Sequence, residues 1–226
     1  VPLSNPGDTS KILIYKELRR SIIVGRRQPG ERLSMQTLAR HYGTSVTPVR
    51  DALQMLSQES LVTIKPRSGY FVTRITLKQL RDMLELREIL EVVAVERATA
   101  RITEEQLAQL AHVHAGYTGD DDESYDRYTD ENRHFHHLIA QASGNQELAE
   151  MIGHLHDRLA RYMVMRHAGQ MMDRSHERIV TAIRARDVAE ARQAMLDEII
   201  ETREAILDRV IQEQGASWRM GTRLSR

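Results

Sequence analysis

Residues 30–72 read GERLSMQTLARHYGTSVTPVRDALQMLSQESLVTIKPRSGYFV, and this stretch decides the fold of the N-terminal third. Ser34 can cap a short helix whose Leu38 and Ala39 face inward. Gly43, after Tyr42, breaks that helix. A second begins near residues 45–47 with Pro48 in its first turn, where a missing N–H costs nothing because no partner is within reach. Val49, Leu53 and Leu56 form its buried stripe. Two short helices joined by a tight glycine turn make a helix-turn-helix. Beyond it, Leu61-Val62-Thr63-Ile64 and Tyr70-Phe71-Val72 are β-rich runs around the basic turn Lys65-Pro66-Arg67-Ser68-Gly69. That is a hairpin in the position of a wing, with Lys65 and Arg67 at a tip suited to phosphate or minor-groove contact. Upstream, Thr9 or Ser10 can cap a helix reaching about Val24, with Tyr15, Leu18 and Ile22 at helical spacing, closed by Gly25 and the turn Gln28-Pro29-Gly30.

The whole chain has 226 residues, enough for one large domain or two modest ones, and its 41% hydrophobic content supports a packed core. No run approaches the roughly 20 apolar residues of a membrane span. The opening Val-Pro-Leu-Ser-Asn-Pro-Gly lacks the basic, apolar and small-residue pattern of an export signal, so a cytoplasmic location is expected. The absence of cysteine excludes disulfides, thiolate metal sites and thiol nucleophiles, and fits a reducing compartment. The 32 basic and 32 acidic residues cancel overall but not locally: residues 1–75 hold 12 Lys+Arg against 5 Asp+Glu, and the remainder holds 20 against 27. A basic segment joined to an acidic one suggests a nucleic-acid-binding module attached to something else. Nine of the ten histidines follow residue 75.

The 30–72 stretch resembles the winged helix-turn-helix of the GntR family. The "PGERL" turn, "TPVRDAL" on the second helix, the Leu-Val start of the hairpin and "RSGYFV" in the wing match in order and spacing. The resemblance implies that this second helix enters the major groove of double-stranded operator DNA by its N-terminus. Ser45, Val46, Thr47 and Arg50 would then lie at the DNA, joined by Gln36 on the preceding helix and by Lys65, Arg67 and Gly69 of the wing. Arg50 is the candidate for base contact, because arginine can bond guanine O6 and N7 together; the alternative is an ion pair with Asp51 or a neighbour. Gln36 and Val46 stand where other members often carry arginine, which leaves the operator sequence open.

After Val72 the pattern is helical throughout. Thr76 caps a helix to about Arg101, with Leu77, Leu80, Leu84, Arg87 and Glu91 on related turns. Thr103-Glu104-Glu105-Gln106 opens another, to about Ala115, and 116–122 reads as an acidic loop. Helices over 123–142, 145–168, 170–186 and 187–213 complete a bundle. The expected fold class is mainly α: a flexible tail over 1–8, a winged helix-turn-helix of three helices plus a β-hairpin over 9–75, an all-α bundle over 76–213, and a flexible basic tail over 214–226. The bundle resembles the FCD domain of the FadR-type branch of the GntR family, on "LRDMLELREILEVVAVERA", "NRHFHHLIAQASGN" and "SHERIVTAIRARDVAEARQAM". That resemblance implies a homodimer and a small organic-acid effector, often bound through a metal inside the bundle.

In "DENRHFHHLI" the apolar face is Phe135, Leu138, Ile139 and Ala142, which puts Asn132 and His136 together on one shoulder, Asp130 away from the core and His137 toward solvent. His176 precedes Ile179 and Ile183 by one and two turns, and Glu198 borders Met195 and Ile199. The family's metal set is an Asp with three His; here the matching positions are Asn132, His136, His176 and Glu198. A mixed set of imidazole and oxygen suits Zn, Ni or Mn; the alternative is a buried polar network without metal. Arg87 points inward and reads either as half of a salt bridge with Glu91 or as a fork for an effector carboxylate, with Arg158 a weaker effector candidate.

Together these readings describe a DNA-binding transcription regulator, expected to act as a repressor, whose operator affinity responds to a carboxylate effector. The alternative is a metal-dependent hydrolase using His136, His176 and Glu198. The chain has no Gly-rich phosphate loop, nucleophile elbow or HExxH motif.

Overall fold

The computed structural model describes residues 6–113, 122–164 and 169–221. The chain divides by contact into two units, Val1–Leu80 with His156–Arg161, and Arg81–Leu155 with Tyr162–Arg226.

The first unit contains α1 (Pro6–Ile23), β1 (Arg32–Leu33), α2 (Met35–His41), α3 (Val46–Gln58), β2 (Val62–Lys65) and β3 (Gly69–Val72). Helix α1 starts at Pro6, whose fixed φ and absent N–H suit a first helical position, so the helix begins earlier than Thr9. Its buried face runs through Ile14, Leu18 and Ile22, four residues apart, and not through Tyr15. Tyr15 stands beside that face, and its hydroxyl donates to Glu59, the residue that caps the C-terminus of α3. Arg19 Nε donates to the same carboxylate at 3.2 Å. Burial first, then the neighbouring Glu59, pushes the Tyr15 phenol above its ordinary range. Val49, Ala52, Leu53 and Leu56 complete the apolar surface of α3 as the sequence spacing requires.

The sheet is antiparallel with order β1-β3-β2; Val62 faces Val72 and Lys65 faces Gly69. Strand β1 pairs Arg32 with Phe71 and Leu33 with Tyr70, an addition to the hairpin too short to show any alternation in sequence. The turn before it is held by Gly30, whose N–H donates to Val72 O at 2.8 Å with φ at +82°. The Arg74 guanidinium lies across the bare Cα, 1.9 Å from where a Cβ would stand. Arg74 can swing away, but the left-handed backbone cannot relax, so Gly30→Ala should lower stability by about 1–2 kcal/mol. Urea unfolding would show this as a lower midpoint with an unchanged slope; an unchanged midpoint would mean that the turn adapts.

The second unit is built from α4 (Leu77–Arg101), α5 (Glu104–Ala111), α6 (Asp122–Ala142), α7 (Gln146–Val164), α8 (Gly169–Arg184) and α9 (Val188–Gly221). One core joins α4, α5, α6, α8 and α9 through Val95, Ala98, Leu110, Phe135, Ile139, Ile183, Met195 and Ile199. A second, smaller one seats Leu148, Ala149 and Ile152 of α7 on Ala94 and Ala140. Thr103 and Gln106 form a reciprocal capping box at the start of α5. Arg186 closes the end of α4 by donating to Thr99 O at 3.0 Å and Ile102 O at 2.6 Å. Helix α5 stops at Ala111, short of Ala115, and Asp122 already belongs to α6; residues 116–121 of the expected acidic loop lie outside the described ones. Helix α9 continues to Gly221, past the expected helix end at 213. A single interior glycine at 215 costs only about 1 kcal/mol against alanine. Thr202, Ile206 and Val210 anchor the preceding turns in the core.

Candidate functional site

Two groups of residues stand apart from the packing. The first is the outer end of α3 with the wing. Ser45 is the N-cap of α3, but its hydroxyl makes no capping bond. Ser45, Thr47 and Arg50 are exposed and Val46 is half-buried, while Pro48 and Val49 turn inward. Among the described residues Arg50 has no ion pair or hydrogen bond, so the expected alternative, pairing with Asp51, is not realised. Gln36 is exposed on the first turn of α2. In the wing, Ser68 N donates to Lys65 O at 3.0 Å, closing a turn with Pro66 at its first corner. Its second corner is Arg67, at φ +60°, a left-handed conformation that glycine would adopt more cheaply. Gly69 follows at φ +105°. Lys65 is held with its ammonium 4.7 Å from the centre of the Phe71 ring, so it is partly pre-positioned.

The second group lies inside the helical unit. Arg87 on α4 is fully buried. Its Nε donates to Glu91 Oε1 at 2.9 Å and its Nη2 to Glu198 Oε2 at 2.9 Å, with His136 Nε2 3.2 Å from the same Nη2. Burial alone would lower the guanidinium pKa; Glu198 and Glu91 overcome it and hold the group above its ordinary value. Glu91 Oε2 lies 2.6 Å from His136 Nδ1. An arginine N–H can only donate, so the contact at 3.2 Å places the Nε2 lone pair of His136 toward Arg87. Glu198 Oε1 accepts from Thr202 Oγ1 at 3.0 Å. The His176 ring stacks on Phe135 at 3.9 Å and meets His136 edge-on at 5.2 Å. Asn132 is also buried, one turn before His136, and its Oδ1 has no hydrogen-bond partner among the described residues; neither has Arg87 Nη1.

The structure therefore brings His136, His176 and Glu198 together, with one ligand atom of each within 4.8 Å of the others. Arg87 stands among them as a salt-bridged cation, the first of its two sequence readings. Arg158 falls in the segment of α7 that groups with the first unit. His137 is half-buried rather than solvent-facing, with its ring 3.6 Å from where a Cβ on Gly153 would stand, an ordinary packing distance. Sequence reasoning missed Glu91 as the partner of His136 and Thr202 as the support of Glu198. The available signal was spacing: Glu198 and Thr202 are four apart on the same buried face.

Two family models match the chain: the bacterial regulatory proteins of the gntR family over residues 13–72, and the FCD domain over residues 82–202. The HTH-type transcriptional repressor RspR of Escherichia coli strain K12 is 30% identical over 201 residues, covering 86% of this chain and 88% of that protein. The chain belongs to the GntR family of bacterial regulatory proteins. The HTH-type transcriptional repressor GlaR of the same organism is likewise 30% identical, over 82% of this chain and 90% of its own. Among solved structures, E. coli McbR/YncC superposes with a TM-score of 0.68 at 26% identity, covering 89% of this chain and 98% of its own. This GntR regulator is thus a DNA-binding protein with an FCD domain, and these relatives give no support to the hydrolase alternative. No helix among its described residues is long and apolar enough to cross a membrane.

Proposed function

We propose that this regulator binds operator DNA as a homodimer in the cytoplasm and represses transcription, and that a small organic acid held with a divalent cation in the helical unit alters that binding. The names of RspR and GlaR support repression. The observation that carries the effector half is the fully buried cluster of Arg87, His136, His176 and Glu198, with an unpartnered Asn132 Oδ1 beside it. Burying unpaired polar atoms is costly, and a bound ligand removes that cost.

The residues fit a divalent cation. Two imidazoles, a carboxylate and an orphaned amide oxygen make a mixed donor set compatible with Zn, Ni or Mn. Such an ion would leave open positions for a carboxylate of the effector. His136 Nε2 lies 3.2 Å from an arginine nitrogen that can only donate, so its lone pair faces into the cluster, and Glu91 Oε2 lies 2.6 Å from Nδ1 on the other side of the ring. Protein purified without a His-tag or chelator should carry about one metal ion per chain, and His176→Ala should lower that content by about 10-fold or more while leaving DNA affinity less affected. If metal-free protein neither binds Zn²⁺, Ni²⁺ or Mn²⁺ nor melts higher in their presence, the cluster is a polar core only.

On the DNA side, Ser45, Val46, Thr47, Arg50 and Gln36 present the reading surface, and the wing residues Lys65, Arg67 and Gly69 supply backbone contact. Arg67 keeps a cation at a left-handed corner where glycine would be less strained, which favours a role for the side chain. Neutralising Lys65 and Arg67 together should reduce the slope of log affinity against log salt by about one to two units per half-site, with sequence preference retained. A changed preference at constant slope would mean that the wing reads bases.

A further inference from the structure

Arg87 and the cation of the preceding section claim the same atoms. His136 Nε2 has one lone pair, and it faces Arg87 Nη2 at 3.2 Å; Glu198 Oε2 is 2.9 Å from that same nitrogen. The two acceptors are 3.9 Å apart. A metal ion binds such atoms at about 2.1 Å, so between acceptors this far apart it must lie close to the line joining them. It would then sit no more than about 3 Å from Nη2, with the N–H protons pointing at it. Two cations cannot share that position.

We propose that Arg87 is the resident cation of this site and that a divalent ion enters by displacing the Nη2 edge of its guanidinium from His136 and Glu198. The inference rests on the metal reading above and adds the way in which the site is regulated. The Nε bond to Glu91 at 2.9 Å does not involve the metal ligands, so it can act as the pivot. Nη1 already has no partner among the described residues. Once Nη2 is also released, the two form a parallel pair of donors, the geometry that grips a carboxylate with two bonds. The resident arginine therefore closes the acid site until metal opens it, and the acid in turn favours the metal-loaded state by the same factor.

The test uses Ni²⁺ alone as the probe, titrated by calorimetry into the full chain, first stripped of metal with a chelator and then exchanged into a non-chelating buffer. Arg87→Ala is expected to bind Ni²⁺ at least 10-fold more tightly than the unmodified protein. Millimolar guanidinium chloride should weaken Ni²⁺ binding to Arg87→Ala in proportion to its concentration, by refilling the vacated place, and should not affect the unmodified protein. Equal or weaker Ni²⁺ binding by the variant, or indifference to guanidinium, overturns the exchange while leaving the metal reading intact. Failure of both proteins to bind Ni²⁺ overturns the metal reading and the exchange with it. Should Arg87→Ala not fold, a crystal structure of the Ni²⁺-loaded unmodified protein decides: Nη2 beyond hydrogen-bonding reach of Glu198, with Nε still on Glu91, supports exchange, and an unmoved guanidinium ends it.

Discussion

Arg87→Met should destabilise the helical unit by about 3–5 kcal/mol, the cost of removing one partner from a fully buried ion cluster. The side chain is apolar and of comparable length, so packing is largely kept. What is lost is the arginine cation that, among the described residues, bridges Glu91 and Glu198, both almost wholly excluded from water. Two facing carboxylates in a medium of low polarity cannot both stay ionised without a counter-charge. Removing the acids as well, in an Arg87→Met, Glu91→Leu, Glu198→Leu variant, should recover part of the loss, because charge-free apolar packing is often no less stable than the ion cluster it replaces. Urea unfolding followed by circular dichroism measures both. A loss below about 1 kcal/mol for the single variant would mean that water reaches the carboxylates, against the burial seen here.

Arg50→Ala should abolish specific operator recognition and leave the fold untouched. Arg50 is exposed and makes no hydrogen bond or ion pair among the described residues that its loss could break. A bidentate contact to guanine is worth about 1–3 kcal/mol of discrimination, and a dimer forfeits it at each half-site. Binding to random DNA, set by phosphate contacts, should fall far less. A shift assay with operator and scrambled duplexes separates the two terms. If the variant keeps its preference for operator, another residue reads the bases.

The contrast between these sites shows what a sequence displays. The recognition element was legible because its determinants are local: Gly43 at the turn, Pro48 in the first turn of α3 and the four buried apolar residues behind it lie within 14 positions of one another. In the bundle, spacing alone correctly turned Asn132, His136, His176 and Glu198 inward. It could not say which inward groups meet. Arg87 reaches Glu198 across 111 residues and His136 across 49, and no periodicity encodes such pairings. The ends of elements were the other weakness. A two-residue strand such as β1 has no alternation to detect, and α9 runs past Gly215 because packing earlier in the helix outweighs one poor helix former.

Glu198 accepts on both of its oxygens, from Arg87 Nη2 on one side and from Thr202 Oγ1 on the other. A glutamine there would have the same shape but one acceptor and one donor. Turned one way, its NH₂ meets the Arg87 Nη2–H head-on. Turned the other way, it faces Thr202 Oγ1, which must then accept from the amide and keep its own proton for the backbone oxygen of residue 198, 2.8 Å away. The amide therefore fits in one orientation only, and only with the Thr202 hydroxyl reassigned: a constraint of hydrogen-bond parity rather than of size.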